Sequence, residues 1–210
     1  SCEARSLAQV FQKDDEPNSY TIFTTTDCNA RCFYCYEMGA GRTPMSEQTA
    51  RDAAAFILRS HGTKKVHLRW FGGEPLYNFS VIDIICTSLR EAGVEYVSSM
   101  VSNAYLFNDA LVARAKTLWN LRDVQITLDG TEEVYNKAKA FIYKDGRSAF
   151  AVVTDNIERL LRAEINVLIR MNMGEHNKED LYALAEWLDA RYPNKKYLRA
   201  YAHLLYETGK

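Results

Sequence analysis

Tyr20-Thr21-Ile22-Phe23-Thr24-Thr25 runs straight into Thr26-Asp27-Cys28-Asn29-Ala30-Arg31-Cys32-Phe33-Tyr34-Cys35. A short β-branched and aromatic run reads as a strand, and it ends in a loop that carries three cysteines. The C-x3-C-x2-C spacing lets three thiolates converge from a flexible loop, which a regular helix or strand could not arrange. Three is one short of a closed tetrahedral zinc site or a fully cysteine-ligated cluster. A cubane held by three thiolates keeps one iron open to a substrate or cofactor. A zinc site completed from elsewhere is the competing reading. The histidines are His61, His67, His176 and His203, and none lies at the usual short zinc spacing from a cysteine. His67 falls within a strand pattern and reads as a core residue.

Downstream, strand-like runs alternate with stretches of helical period. Strands are expected at residues 20–25, 65–71, 95–101, 123–128, 165–171 and 196–201. Helices are expected at 46–60, with Ser46 as N-cap, and at 79–91, 108–118, 151–163 and 178–191. A long polar loop is expected over 131–148. Six β/α alternations with short connections predict an α/β fold with a parallel sheet and right-handed crossovers. The 210 residues fall short of the roughly 250 of a complete eight-stranded barrel, so a partial (β/α)6 TIM-like barrel is expected. Gly72-Gly73-Glu74, Asn103, Asp129 and Asn172 each follow a different strand. The C-terminal strand ends of a parallel barrel share one face, which carries the active site. Phe23, Trp70, Phe71 and Trp187 read as core aromatics.

The formal net charge of −1 argues against a broad nucleic-acid or membrane surface, and no apolar run approaches the roughly 18 residues of a transmembrane helix. The opening residues lack the apolar stretch of a signal peptide. Five cysteines, three of them clustered, do not form a secreted disulfide framework, and a cytoplasmic, reducing location is expected. Cys86, in Val81-Ile82-Asp83-Ile84-Ile85-Cys86, reads as an inert buried thiol, and Cys2 as a loose terminal residue.

The C-x3-C-x-aromatic-C loop after the first strand, followed by Gly72-Gly73-Glu74-Pro75 after the second, resembles the radical S-adenosylmethionine (SAM) superfamily. The resemblance covers residues 20–205 as one partial-barrel domain, with residues 1–19 as a lead-in. It implies that Cys28, Cys32 and Cys35 ligate a [4Fe–4S] cluster whose fourth iron chelates SAM. An electron from the cluster would cleave SAM to methionine and a 5′-deoxyadenosyl radical, which takes a hydrogen atom from the substrate. Tyr34 matches the position near the adenine, and the backbone of Gly72, Gly73 and Glu74 matches the motif that meets the SAM amino group. Val101-Ser102-Asn103-Ala104 resembles the Thr-Asn-Gly segment of the family, with Ala104 in place of the usual glycine.

Gln125-Ile126-Thr127-Leu128-Asp129-Gly130 and Arg170-Met171-Asn172 resemble segments of the peptide- and protein-modifying maturase branch. There Thr127 would contact the SAM ribose or carboxylate region, and Lys139 would pair with the SAM carboxylate. An arginine at the barrel rim is the bland alternative for Arg170, and a turn residue that for Asp129. The branch implies a peptide or protein substrate and an electron donor such as a flavodoxin or ferredoxin. Its SPASM or twitch domain holds further clusters through cysteines. None follows Cys86, so that auxiliary domain is expected to be absent and truncation of a longer maturase is favoured. A radical SAM enzyme acting on a small molecule and a non-catalytic cluster-binding module stay open as alternatives.

Overall fold

A computed structural model describes residues 18–37, 41–143 and 146–205. Cys2 and nearly all of the 1–19 lead-in lie outside the described residues. The strands are β1 (Ser19–Thr25), β2 (Val66–Gly72), β3 (Tyr96–Ser102), β4 (Leu121–Thr127), β5 (Asn166–Met173) and β6 (Leu198–Leu204). The helices are α1 (Glu47–Ser60), α2 (Phe79–Glu91), α3 (Asp109–Thr117), α4 (Glu132–Lys139), α5 (Ala149–Arg162) and α6 (Asp180–Arg191), with a 3-10 turn at Pro75–Asn78 before α2.

The strands form one parallel sheet in the order β1-β2-β3-β4-β5-β6. Sequential parallel neighbours need a crossover each, and the helices supply it on the outer face. With β1 and β6 at the two edges, the sheet is an open, partial barrel of the α/β class. Alternation along each strand sorts its side chains. Val66, Leu68 and Trp70 of β2, Met100 of β3, Val124 and Ile126 of β4 and Val167 and Ile169 of β5 are buried in the hydrophobic core. The intervening residues face inward.

Alternation overturns two expectations. His67 is not core but exposed on the inner face, where it lines a cavity. Phe23 and Phe71 also face inward, and Phe23 is 47% exposed, whereas Trp70 between the inward positions is fully buried.

The expected 131–148 loop contains α4. Its helical period is hidden by polarity, since Glu132, Glu133, Asn136, Lys137 and Lys139 dominate the stretch. Acids in its first turn and lysines in its last complement the helix dipole. Tyr135 and Ala138, three apart, supply the buried stripe. Ala140 ends the helix in the left-handed region at φ 43°.

Other differences are of boundary. Ser148 Oγ accepts the Ala151 N–H and starts α5 at residue 149. Leu121 pairs with Ser98 and so starts β4 early. Ser46 caps α1 as expected, accepting the Thr49 N–H at 3.0 Å. Cys86 is fully buried in α2, as expected.

Candidate active site

The end of β1 and the end of β2 are pressed together. Gly72 has φ +132°, and a Cβ there would lie 2.1 Å from the Thr25 carbonyl oxygen. A Cβ on Gly73 would lie 2.3 Å from that of Asp27. Glycine is required because the two backbones touch: Gly73 N donates to Thr25 O at 3.0 Å and Glu74 N to Asp27 O at 2.9 Å. This seam fixes the base of the cysteine loop.

Glu74 itself points away from the cavity and is fully buried. Its Oε1 accepts the Leu76 N–H at 3.1 Å and the Ser102 hydroxyl at 2.8 Å, and its Oε2 accepts the Asn103 N–H at 2.8 Å. The carboxylate thereby ties the end of β2 to the end of β3. Burial pushes Glu74 from its ordinary 4.5 up to about 7, against the pull of those donors.

Above pH 4.5 the unfolded chain ionises Glu74 while the folded chain keeps the proton, so stability falls with rising pH until about pH 7. The loss is on the order of 3 kcal/mol, from 1.36 kcal/mol per pH unit. In Glu74→Gln this component vanishes, so the difference in unfolding free energy between the two proteins should narrow by that amount over the window. Denaturant unfolding at successive pH values measures it, and a pH-independent difference would refute it.

Asn103 is the hub of the third strand end. Tyr105 N donates to its Oδ1 at 3.0 Å, which fixes the amide orientation and turns Nδ2 toward the cysteine loop. That Nδ2 donates to Asn29 Oδ1 at 2.6 Å and to Cys28 Sγ at 3.6 Å. Ala104 adopts φ 62°, the geometry a glycine would take without strain. Ser102 Oγ accepts its N–H at 2.9 Å, and its carbonyl accepts from Asn156 Nδ2 of α5 at 2.9 Å.

The loop is pinned on its other side by α4. Arg31 N donates to Lys139 O at 2.8 Å, and Ile142 N to Asn29 O at 2.9 Å. Lys139 turns inward, almost fully buried, with Nζ 3.0 Å from Asp129 Oδ2 and 2.6 Å from the Tyr34 hydroxyl. Tyr34 in turn donates to Asp129 Oδ2. The ammonium lies 5.3 Å from the Tyr34 ring centroid and 5.8 Å from that of Tyr135. Burial alone would lower the Lys139 pKa, but Asp129, and behind it Tyr34 and Cys32, hold it well above the ordinary lysine value. Asp129 is also fully buried, and its Oδ1 accepts the Asn172 N–H at 3.1 Å. Arg170 Nε donates to Asn172 Oδ1 at 2.8 Å, which leaves the rest of its guanidinium fork facing the cavity.

These strand ends surround one cavity of about 650 Å³. Its wall includes all three loop cysteines, Tyr34, Gly72, Gly73, Asn103, Thr127, Lys139, Arg170 and Asn172, whereas Glu74 and Asp129, also singled out from the sequence, are buried and do not line it. Sequence reasoning did not assign the hub roles of Ser102, Asn29 and Asn156, the inward Arg69, or α4 as the clamp on the loop. Ser102 lies within the Val101-Ser102-Asn103-Ala104 segment and Asn29 within the cysteine loop, but the others carry no local signal.

Three thiols are the donor type an iron–sulfur cluster takes, although among the described residues no three His, Cys, Asp or Glu side chains are already drawn together as a metal site. Cys28, Cys32 and Cys35 are free thiols, half-buried on one wall. Ala30 N at 3.4 Å and Asn103 Nδ2 at 3.6 Å both point hydrogens at Cys28 Sγ, the arrangement that stabilises thiolate ligands. Without that charge partner, burial pushes Cys28 up to about 11. Burial also raises Cys32, with the Lys139 charge pulling the other way. Ligation of a metal cluster by these thiols would therefore release protons. Among the described residues, no helix is long and apolar enough to cross a membrane.

Comparison with known proteins agrees with this architecture. Sporulation killing factor maturation protein SkfB of Bacillus subtilis is 22% identical over 173 residues, which span 81% of this chain and 39% of SkfB. A GTP 3',8-cyclase of Limosilactobacillus fermentum is 28% identical over 135 residues, spanning 62% of this chain and 40% of the cyclase. The chain thus spans about two fifths of the length of these curated relatives. Native anSMEcpe with bound AdoMet and Cp18Cys peptide superposes with a TM-score of 0.73 at 18% identity, covering 92% of this chain and 54% of that one, which shows a shared fold. The Radical SAM superfamily model matches residues 22–188, from within β1 through to the last turns of α6. With the cysteine loop and the glycine seam both inside that match, the chain belongs to the radical SAM superfamily, an enzyme family whose members use an iron–sulfur cluster and SAM.

Proposed function

We propose that this chain is the core of a radical SAM enzyme that modifies a peptide or protein. Cys28, Cys32 and Cys35 would hold a [4Fe–4S] cluster, and the rest of the cavity wall would hold SAM. Bound together, cluster and SAM supply an electron-driven cleavage of SAM and the abstraction of a hydrogen atom from the substrate.

The chain's own residues bind, orient and shield. The seam of Gly72 and Gly73 offers backbone groups to the SAM ammonium. Asn103 aligns the cysteine loop through Asn29 and hydrogen-bonds Cys28. Thr127 and the free fork of Arg170, paired in register on β4 and β5, offer a hydroxyl and a bidentate cation to the ribose and carboxylate. Lys139 is assigned a different part from carboxylate pairing, because its charge is already taken up by Asp129 and Tyr34. Tyr34, held by that pair, forms the wall for the adenine. The observation that carries the reading is the convergence of three thiols and these polar groups on one cavity at the C-terminal strand ends.

A peptide or protein substrate is supported by the similarity to SkfB, a maturation protein, and by the fold shared with anSMEcpe, solved with a peptide. The similarity to a GTP 3',8-cyclase supports a second reading, a nucleotide-sized substrate. The reductant would be a flavodoxin or ferredoxin, and the setting cytoplasmic. After anaerobic reconstitution the protein should bind about four irons and, with a chemical reductant, release 5′-deoxyadenosine from SAM. Binding of one zinc and no iron, or iron without SAM cleavage, would sink the proposal.

A further inference from the structure

The inner face of the sheet is cationic in a chain whose net charge is −1. Arg69, Arg170 and Arg199 all occupy inward positions. Arg69 pairs in register with Thr21 and Ser99, Arg170 with Thr127 and Tyr201, and Arg199 with Leu168. Among the described strand residues that face inward, Asp123 is the one acid, and it accepts a hydrogen bond from Asn166 Nδ2 at 2.9 Å. Asp123 shares a register layer with Arg69 but lies two strands away across Ser99, about 10 Å at the usual strand spacing. Among the described residues, no carboxylate lines the 650 Å³ cavity.

Arg69 differs from the other cations of this wall. Lys139 is neutralised by Asp129, and Arg170 is oriented by Asn172. The Arg69 side chain has no hydrogen bond or ion pair with any described residue. It lines both the cavity at the strand ends and a second cavity of about 390 Å³ deeper along the inner face. One inward layer above it toward the strand ends, Phe71 meets Phe23 edge-on at 5.2 Å, and Phe23 is 47% exposed. An apolar step thus separates the thiol loop from an exposed guanidinium further along the inner face that has no described partner. The planar fork of arginine matches carboxylate and phosphate oxygens.

We infer that Arg69 receives a carboxylate or phosphate carried by the substrate, at a distance from the group that reacts. The inference rests on the cofactor reading above, in which SAM occupies the strand-end level and its carboxylate takes Arg170. Arg69 is then left for the substrate, and the apolar Phe23–Phe71 step accommodates whatever joins the anion to the reacting carbon.

Residue-resolved phenylglyoxal labelling, read by peptide mass spectrometry on reconstituted protein with SAM, tests it. Arg69 should label readily, and inorganic phosphate or glutarate should slow that labelling several-fold relative to sodium chloride at equal ionic strength. Protection by phosphate alone points to a phosphorylated substrate such as a nucleotide. Protection by glutarate points to a carboxylate, such as an acidic peptide side chain. Equal labelling in all three salts overturns the inference. So does an Arg69 that resists labelling in the wild type and labels only in Asp123→Asn, since it would then be paired within the chain. Iron content and SAM cleavage are measured on the same preparation. Their loss overturns the cofactor reading, whereas unprotected Arg69 in a preparation that cleaves SAM overturns only the substrate inference.

Discussion

Lys139→Met should lower the unfolding free energy by about 3–5 kcal/mol, the penalty for removing one partner of a buried ion pair. For a chain of this size that corresponds to a fall of roughly 10 °C in Tm. Asp129 is fully buried and would keep its Tyr34 and Asn172 hydrogen bonds but lose its counter-ion. Methionine replaces the volume of the alkyl stem, so the loss isolates the charge rather than a cavity. The double variant Lys139→Met with Asp129→Asn should recover much of the stability, because the orphaned charge is removed with its partner. Thermal and denaturant unfolding of the set measures this. A single variant as stable as the wild type would show that the buried pair is not what anchors α4 to the site. Because the Lys139 carbonyl also receives the Arg31 N–H, the weakened α4 should loosen the cysteine loop and slow cluster incorporation.

Cys32→Ala should abolish both stable iron binding and SAM cleavage, while leaving the fold intact. The loss is all-or-none for a chemical reason. Two thiolates leave two irons of the cubane without protein ligands, and such a cluster is readily lost. The cost to folding is small because the side chain is only half-buried on a loop already held by Gly73, Asn103 and Lys139. Iron and sulfide content, the visible absorbance of the reconstituted protein and its unfolding curve separate the two effects. Retained 5′-deoxyadenosine formation in the variant would remove Cys32 from the ligand set. A collapsed unfolding transition would show that the thiol supports the fold.

The six strands were legible because each obeys a short-range rule, β-branched and aromatic runs followed by turn residues. The helix over Glu132–Lys139 was not, since its eight residues offer a buried stripe of only Tyr135 and Ala138 amid charges. Its stability comes from what it packs against, and periodicity within the segment does not report that. The inward placement of His67, Phe23 and Phe71 was hidden for a related reason. Residues 66–71 alternate, but which parity faces the helices depends on the neighbours of the strand.

The site divides in the same way. Cys28, Cys32 and Cys35 could be proposed as ligands from spacing, and the close approach at Gly72-Gly73 could be read from its place after a strand, because ligation and close backbone approach are local demands. The role of Glu74 could not. The motif implies a contact for the Glu74 backbone and is silent on its side chain, which is fully buried and bonds Ser102, 28 positions away in sequence. Lys139 likewise reads as a free cation in one dimension and is a paired one in three, 105 positions from Tyr34.

The sequence by itself determined the family, the β/α order and the cysteine loop, all of which are written in contiguous residues. Only the tertiary structure decided which charges are already paired and which remain available. Asp129 meets Lys139 inside the protein while Arg69 meets no described partner, and this follows from strand register and burial that bring distant residues together or hold them apart.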